Sequence, residues 1–328
     1  MTGVGWRTRA RVAGILSGSA AIGAVLVLAL LPTTSLASQL SVASVTNCSV
    51  GTEPWAAAYD PVNHEVYVPN FDSSSVTVLK GTCTVVKTIK LHSGSYPSSA
   101  AFDPLNNDVY VTDMNLNKVY VFSNAKLVAT IKDPSFDGPR GIVFDPLEPA
   151  MLVTNWLGDT VSVIGPSNTV VFVLPVGDGP IGIDYDQYWS TVNVVNSVSE
   201  NVTVFNAFTL GLIGSVPVGG EPLAVAYDVV DELDYVTDYS TNNITVISYT
   251  SVVGSINGFD EPGYLTWSQA ALGLFVPNAA TGAVSVVSGL SVVKTISTSA
   301  GSLFATYDEF NDDVYVSNDN TNSVYIIS

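Results

Sequence analysis

Short apolar runs separated by polar turns make up most of this chain, and one run returns seven times. It begins as Val66-Tyr67-Val68-Pro69-Asn70 and recurs as Val109-Tyr110-Val111-Thr112-Asp113 and Met151-Leu152-Val153-Thr154-Asn155. The fourth and fifth copies are Val192-Asn193-Val194-Val195-Asn196 and Asp234-Tyr235-Val236-Thr237-Asp238. The last two are Leu274-Phe275-Val276-Pro277-Asn278 and Val314-Tyr315-Val316-Ser317-Asn318. Their second residues stand 43, 42, 41, 42, 40 and 40 positions apart. Two more columns keep step. A turn residue recurs as Asp60, Asp103, Asp145, Asp186, Asp228, Ser268 and Asp308, and a β-branched one as Val76, Val119, Val161, Val202, Ile244, Val284 and Val324. Such a period marks a repeat architecture.

Each unit reads as four strands. In the first, Ala56 to Tyr59 ends in the turn signal Asp60-Pro61, Glu65 to Pro69 follows, then Val76 to Leu79, and Val85 to Leu91 closes the unit. Four short strands per unit of about 40 residues are the signature of a propeller blade. The predicted fold class is therefore all-β: a seven-bladed β-propeller of four-stranded antiparallel blades, with repeats starting near 54, 97, 139, 180, 222, 262 and 302. The chain stops after the third strand of the seventh unit, while an orphan strand at 40–46 precedes the first. That strand is expected to complete the last blade and remove its open edge. Asn193 replaces the aromatic of the fourth unit and Ser268 the Asp of the sixth, so those two blades are expected to pack less regularly.

Tyr67-Val68-Pro69-Asn70 and Tyr235-Val236-Thr237-Asp238, at this spacing and following a Tyr-Asp turn, resemble the YVTN-repeat β-propeller family over all of residues 40–328. The resemblance implies an exported protein of surface-layer type, without a defined reaction.

The first 37 residues stand apart. Arg7, Arg9 and Arg11 precede an apolar run from about Val12 to Leu31, Pro32 breaks it, and Ser35-Leu36-Ala37 offers a cleavage site. The expectation is a cleaved signal peptide; uncleaved, the same run is long enough to anchor the chain in a membrane. Either way the repeats are expected outside the cell, secreted or attached to its surface. Asn47, Asn201 and Asn243 begin Asn-X-Ser/Thr sequons open to glycosylation there.

Only 12% of the residues are charged, and the net charge is −18. Removing the three leader arginines from the 11 basic residues leaves 8 against 29 acidic ones, a charge of −21. Such a surface repels phosphate backbones, which excludes nucleic acid as a partner.

Catalytic chemistry finds little support. His64 and His92 are the two histidines, and the strand order puts them on opposite faces. No phosphate-binding glycine loop or nucleophile elbow occurs. The recurrent Asp residues sit where a carboxylate caps a tight turn, and Asn70, Asn155, Asn196, Asn278 and Asn318 where a hairpin tolerates positive φ. Counting register from Pro54 and Pro97 sets Cys48 opposite Leu91, about 25 Å along the strand direction from Cys83. A disulfide reaches about 7 Å, so the two cysteines are expected to stay apart.

Topology offers the best surface. The loops leading into each first strand and the hairpins joining second to third strands share one face, rich in acids and aromatics. Trp55, Tyr96, Asp137, Trp156, Asp178, Glu221, Tyr239, Asp260 and Glu261 are the candidate ligand or partner residues. The expectation is a non-enzymatic scaffold binding a protein or glycan, with no resident cofactor, Ca²⁺ being the one metal the acids suit. Membrane contact would come only through an uncleaved leader. The alternative is a propeller enzyme of lactonase type with a metal at the channel mouth.

Overall fold

The computed structural model describes residues 44–328; the leader and the start of the predicted 40–46 strand lie outside them. Among the described residues, 28 strands form seven four-stranded antiparallel sheets. The first blade is β2 (Ala58–Asp60), β3 (Glu65–Asn70), β4 (Ser75–Lys80) and β5 (Thr84–Lys90), from channel to rim. The seventh is β26 (Ser302–Asp308), β27 (Asp313–Asn318), β28 (Ser323–Ile327) and, outermost, β1 (Val45–Ser49).

Burial explains the repeated motif. The second strand is flanked by its own sheet and covered by a blade on each face, so β3 and β27 are buried at every residue. A strand covered on both faces needs both sets of side chains apolar or internally bonded, hence Val-Tyr-Val rather than alternation. The outer strand faces water: in β5 only Ile89 is buried. Ile131, Val216, Ile256 and Ile296 are buried at the equivalent register, each opposite the β-branched residue of the third strand.

At four of the seven junctions neighbouring blades are joined by the motif's Tyr. The Tyr67 hydroxyl accepts the Ala125 N–H at 2.9 Å, and those of Tyr110, Tyr235 and Tyr315 donate to Asn168 Oδ1 (2.6 Å), the Gly289 carbonyl (3.1 Å) and the Gly81 carbonyl (2.9 Å). Every acceptor or donor lies in the outer hairpin turn of the next blade. Each outer turn therefore leans back over the preceding blade.

The same lean corrects two expectations. The closing strand is β1 at Val45–Ser49, later than 40–46, and its Cys48 pairs with Val324 as Ile89 pairs with Val76. Cys48 thus occupies the single inward-facing place of an outer strand, two residues from the register counted along the sequence. Cys83 sits in the outer turn of blade one, where blade two has Ala125, and Ala125 belongs to the same buried cluster as Ile89. What is an Ile–Ala contact between blades one and two is a disulfide between blades seven and one, with Cα atoms 5.4 Å apart. The estimate of 25 Å failed because it laid adjacent blades side by side without their stagger.

Blade regularity agrees with expectation in the sixth blade and differs from it in the fourth and the first. The fourth blade is complete, β14 (Pro180–Asp186), β15 (Thr191–Asn196), β16 (Asn201–Asn206) and β17 (Leu212–Pro217). The shortened innermost strands are β2 and β22 (Thr266–Ser268), in blades one and six. There Pro54 and Pro262 keep only isolated bridges to Asn70 and Asn278.

The bridge closes a loop of 35 residues and locks the strand that completes the ring. Its removal by reduction, or as Cys48→Ser/Cys83→Ala, is expected to cost about 3–4 kcal/mol and about 10 °C in melting temperature. A reduced protein melting with the oxidised one would show that β1 docks without the bond.

Candidate functional site

The Asp column caps turns as expected. Asp60 Oδ1 accepts the Val62 N–H at 2.9 Å, Asp145 that of Leu147 at 2.9 Å and Asp308 that of Phe310 at 2.9 Å, while Ser268 Oγ serves Ala271 at 3.2 Å. The Asn column does something else. Positive φ falls later in each hairpin, at Ser74, Asn117, Asp159, Glu200, Asn242 and Asn322. Asn70, Asn155, Asn196, Asn278 and Asn318 are instead buried latches. Asn70 Oδ1 accepts Gly51 N–H at 3.0 Å, and its amide donates to Ser75 Oγ and Thr77 Oγ1 at 3.1 and 3.0 Å. Asp238 stands in this column too, accepting Gly219 N–H at 3.1 Å and the Thr245 hydroxyl at 2.6 Å.

At Asn70, Asp238, Asn278 and Asn318 these latches hold a lead-in loop against a hairpin, whereas Asn155 and Asn196 bond only within their own blade, and the loop–hairpin pairing shapes the channel mouth. The first hairpin residue donates its N–H to the lead-in loop in every blade: Phe71 to Glu53, Met114 to Tyr96, Trp156 to Gly138, Ser197 to Gly179, Tyr239 to Glu221, Ala279 to Glu261 and Asp319 to Gly301, at 2.7–3.2 Å. Glu53, Glu221 and Glu261 have φ near +50°, where other blades use Gly138, Gly179 and Gly301. Just inside stands a ring with one residue per blade, namely Trp55, Ser98, Arg140, Ile181, Leu223, Gly263 and Leu303. At three places the fourth residue of the motif fixes this ring from the preceding blade. Thr112 donates to the Arg140 carbonyl at 2.8 Å, Thr154 to that of Ile181 at 2.9 Å and Ser317 to that of Trp55 at 2.9 Å.

The side chains so placed form a cationic and aromatic centre inside an acidic rim. The Arg140 guanidinium lies 5.3 Å from the Trp55 ring and 5.7 Å from that of Trp156. It lies close enough to the Tyr264 hydroxyl to hold that group down against the upward push of burial, and its buried Nε has no partner. Trp55 stacks on Phe71 at 4.3 Å and on Phe304 at 5.2 Å; Phe71 stacks on Tyr96 at 4.7 Å and Phe304 meets Tyr264 at 4.6 Å. Beside Arg140 opens a cavity of about 620 Å³ with a floor of Ile181, Leu223 and Leu303, walls of Trp156, Val198 and Tyr239, and Glu200 and Glu221 at its lip. Tyr239 is steadied by a 2.9 Å bond to Glu261 Oε2. Burial, then Asp72 and Asp319, raise the Glu53 carboxyl above its ordinary range.

Below the mouth the inner strands converge on a channel cavity of about 370 Å³. Its wall is mostly backbone and small side chains; a Cβ on Gly141 would come within 2.1 Å of the Ile181 carbonyl oxygen. Asp184 lines it, accepts Tyr227 N–H at 3.0 Å and is pushed by burial to a pKa of about 6.

All nine expected residues lie at this end. Trp156, Glu221 and Tyr239 line the cavity, Trp55 reaches it through Arg140, and Tyr96 and Glu261 support its aromatics. Asp137, Asp178 and Asp260 stand on the rim, where the Asp178 and Asp260 N–H groups bond Ser199 Oγ and Asn278 Oδ1. Arg140 and the hydrophobic floor were missed. Their signal was positional: each follows, or aligns with the residue after, the proline that opens a repeat. His64 is elsewhere, bonded to Tyr59 at 2.9 Å and stacked on Phe310 at 3.8 Å. Asn47 is exposed on β1, and Asn201 and Asn243 open their third strands partly exposed, with their amides bonded to Ser199 and Ser255. Among the described residues no group of three or more His, Cys, Asp and Glu side chains is arranged to ligate a metal.

The fold and this mouth define a seven-bladed β-propeller. No family model matches the chain. A curated "Seven-bladed beta-propeller protein" of Mycolicibacterium smegmatis is 45% identical over 60 residues, 17% of this chain and 16% of that protein. Among solved structures, a streptogramin B lyase superposes with a TM-score of 0.77 at 12% identity, over 87% of this chain and 97% of that one. An inactive histidine-to-alanine variant of virginiamycin B lyase from Staphylococcus aureus, solved with quinupristin, gives 0.73 at 10% over 87% and 99%. Kuenenia stuttgartiensis hydrazine synthase gives 0.71 at 16% over 85% and 97%. At such identities these structures share the fold alone.

Burial raises the Asp238 carboxyl to about 6, against the bonds from Thr245 and Gly219 that lower it. A raised carboxyl stabilises most below the unfolded value near 4 and loses that contribution as pH climbs through about 6. Asp238→Asn, the residue five other blades use, is expected to raise stability at pH 7 by about 1–3 kcal/mol with little change near pH 4. Urea denaturation at both pH values checks it.

Proposed function

We propose that this chain is an exported, YVTN-type binding propeller of the cell surface or envelope, engaging a protein or glycan through its channel mouth. The observation that carries this reading is the cavity of about 620 Å³ walled by Trp156 and Tyr239, with Arg140 at its base and Glu200 and Glu221 at its lip. Aromatic faces take sugar rings or apolar side chains, while a lone guanidinium among carboxylates takes an acidic group and leaves the lip for hydroxyls or amines. Export is supported by the basic and apolar leader, the three sequons and the Cys48–Cys83 bridge, which persists in oxidising compartments.

A second reading, a propeller enzyme of lactonase or lyase type, draws on the shared fold. The solved lyase is described as inactive when one histidine is replaced. In this chain His64 lines a separate cavity of about 410 Å³ with Tyr59, Tyr307, Glu309 and Asp312, whereas the two cavities at the mouth and in the channel have no histidine in their lining. What favours the binding reading is the aromatic and cationic lining of the mouth.

Glycan and peptide arrays probed with the purified protein test it. Binding is expected, and Trp156→Ala or Glu221→Ala should weaken the best ligand at least tenfold while leaving the melting temperature within about 2 °C. Turnover of a lactone or streptogramin by the wild type, abolished by the same substitutions, would replace the proposal with the enzymatic reading.

A further inference from the structure

The fourth and fifth blades meet differently from the other six pairs. Where blades meet, the motif's second residue packs towards the first residue of the next blade's motif, as Tyr67 does with Val109 and Tyr110 with Met151. Tyr235 with Leu274 and Tyr315 with Val66 repeat the pairing. At the junction of β15 with β19 (Leu233–Asp238) those two places hold Asn193 and Asp234. Both departures from the motif thus fall on one contact. The Asp234 carboxyl lies against Asn193 and against Asp186, which ends β14. All three are at most 1% exposed, as is Thr191.

Their hydrogen bonding is incomplete. Both Asp234 oxygens, both polar atoms of Asn193, Asp186 Oδ2 and Thr191 Oγ1 have no protein partner. Asp186 Oδ1 is already committed, capping its turn through Tyr188 N–H at 2.7 Å and Trp189 N–H at 3.1 Å. The titratable groups facing this pocket are acidic or phenolic on every side: Asp184 and Asp186 from β14, Asp228 and Tyr227 from β18 (Pro222–Asp228), and Glu232 from the turn before β19. Two carboxylates buried together with no cation cannot both stay ionised.

We infer that Asp186 and Asp234 hold one proton between them, making the junction of blades four and five a proton-binding site. The shared proton supplies the hydrogen that two facing carboxylates lack, placed between Asp234 and the unpartnered Asp186 Oδ2. No covalent bond changes; on release the proton passes to water and two adjacent charges remain at the joint. Burial, together with Asp186 and Asp184, raises Asp234 well above the ordinary carboxyl range, in keeping with this. The contribution is therefore complete in acid and lost as pH rises through the pair's own titration. The site lies at the C-terminal end of β14, away from the mouth, so ligand binding and proton binding are separable.

Thermal melts of the full protein between about pH 4 and pH 7 test the inference. The wild type is expected to lose several degrees over that range, in part through other raised carboxyls such as Asp228 and Asp238. The decisive quantity is the difference on substitution. Asp234→Asn, which keeps shape and cannot ionise, should melt higher than wild type at pH 7 and about equal to it near pH 4. Asn193→Tyr/Asp234→Val, which rebuilds the junction used elsewhere in the ring, should flatten the profile in the same direction. Infrared difference spectra of wild type against Asp234→Asn near pH 6 should carry a protonated-carboxyl band. Parallel pH profiles in wild type and Asp234→Asn, or the absence of that band, would overturn the assignment. So would Ca²⁺ raising the neutral melting temperature of the wild type but not of Asp234→Asn, since a metal ion would then be the occupant.

Discussion

The ring is held by lateral bonds from the second strand of one blade to the next, through a Tyr hydroxyl at the outer end in four blades and a Thr or Ser hydroxyl at the inner end in three. At the outer end the Tyr hydroxyl grips the following blade's hairpin turn, as Tyr67 does at Ala125. At the inner end a Thr or Ser hydroxyl holds the carbonyl of the following blade's mouth residue, as Thr112 does at Arg140. A buried hydroxyl left unpaired costs about 1–3 kcal/mol, so these bonds fix the spacing and tilt of neighbours as well as filling the core. Stability is thereby distributed as nearest-neighbour terms around a closed ring.

Closure makes the last of those contacts special. Six junctions join blades whose strands are consecutive in the chain, whereas the seventh must bring β1 to β28 from the opposite terminus. Its apolar counterpart elsewhere, Ile89 near Ala125, is only a packing contact. At the seam the same two positions are cysteines 35 residues apart, so the strand that completes the seventh blade is tied covalently to the first. The mouth follows from the same scaffold. Arg140 and Trp55 are held at the backbone by neighbouring blades, and their side chains meet beside Trp156.

The period of about 40 residues, the four strands per blade and the acidic face were legible because each is a local property repeated in the chain. A column such as Asp60 to Asp308 declares its turn role from spacing alone, and the structure agrees. The Asn column was misread for a local reason. Asn is common at positive φ, yet here positive φ falls on residues such as Ser74 and Glu200, and Asn70 is buried as a latch. Nothing within one unit distinguishes these roles, because the partner, Gly51 N–H, comes from the preceding lead-in loop.

The sequence by itself determined the number of blades, their strand order and which end of the ring carries acids and aromatics, since all of these rest on periodicity. Only the tertiary structure decided which residues of different blades touch: Cys48 with Cys83, Arg140 with Trp55 and Trp156, and Asn193 with Asp234. Those pairings depend on how far each blade leans over its neighbour. That stagger is a property of the closed ring, so no single repeat contains it.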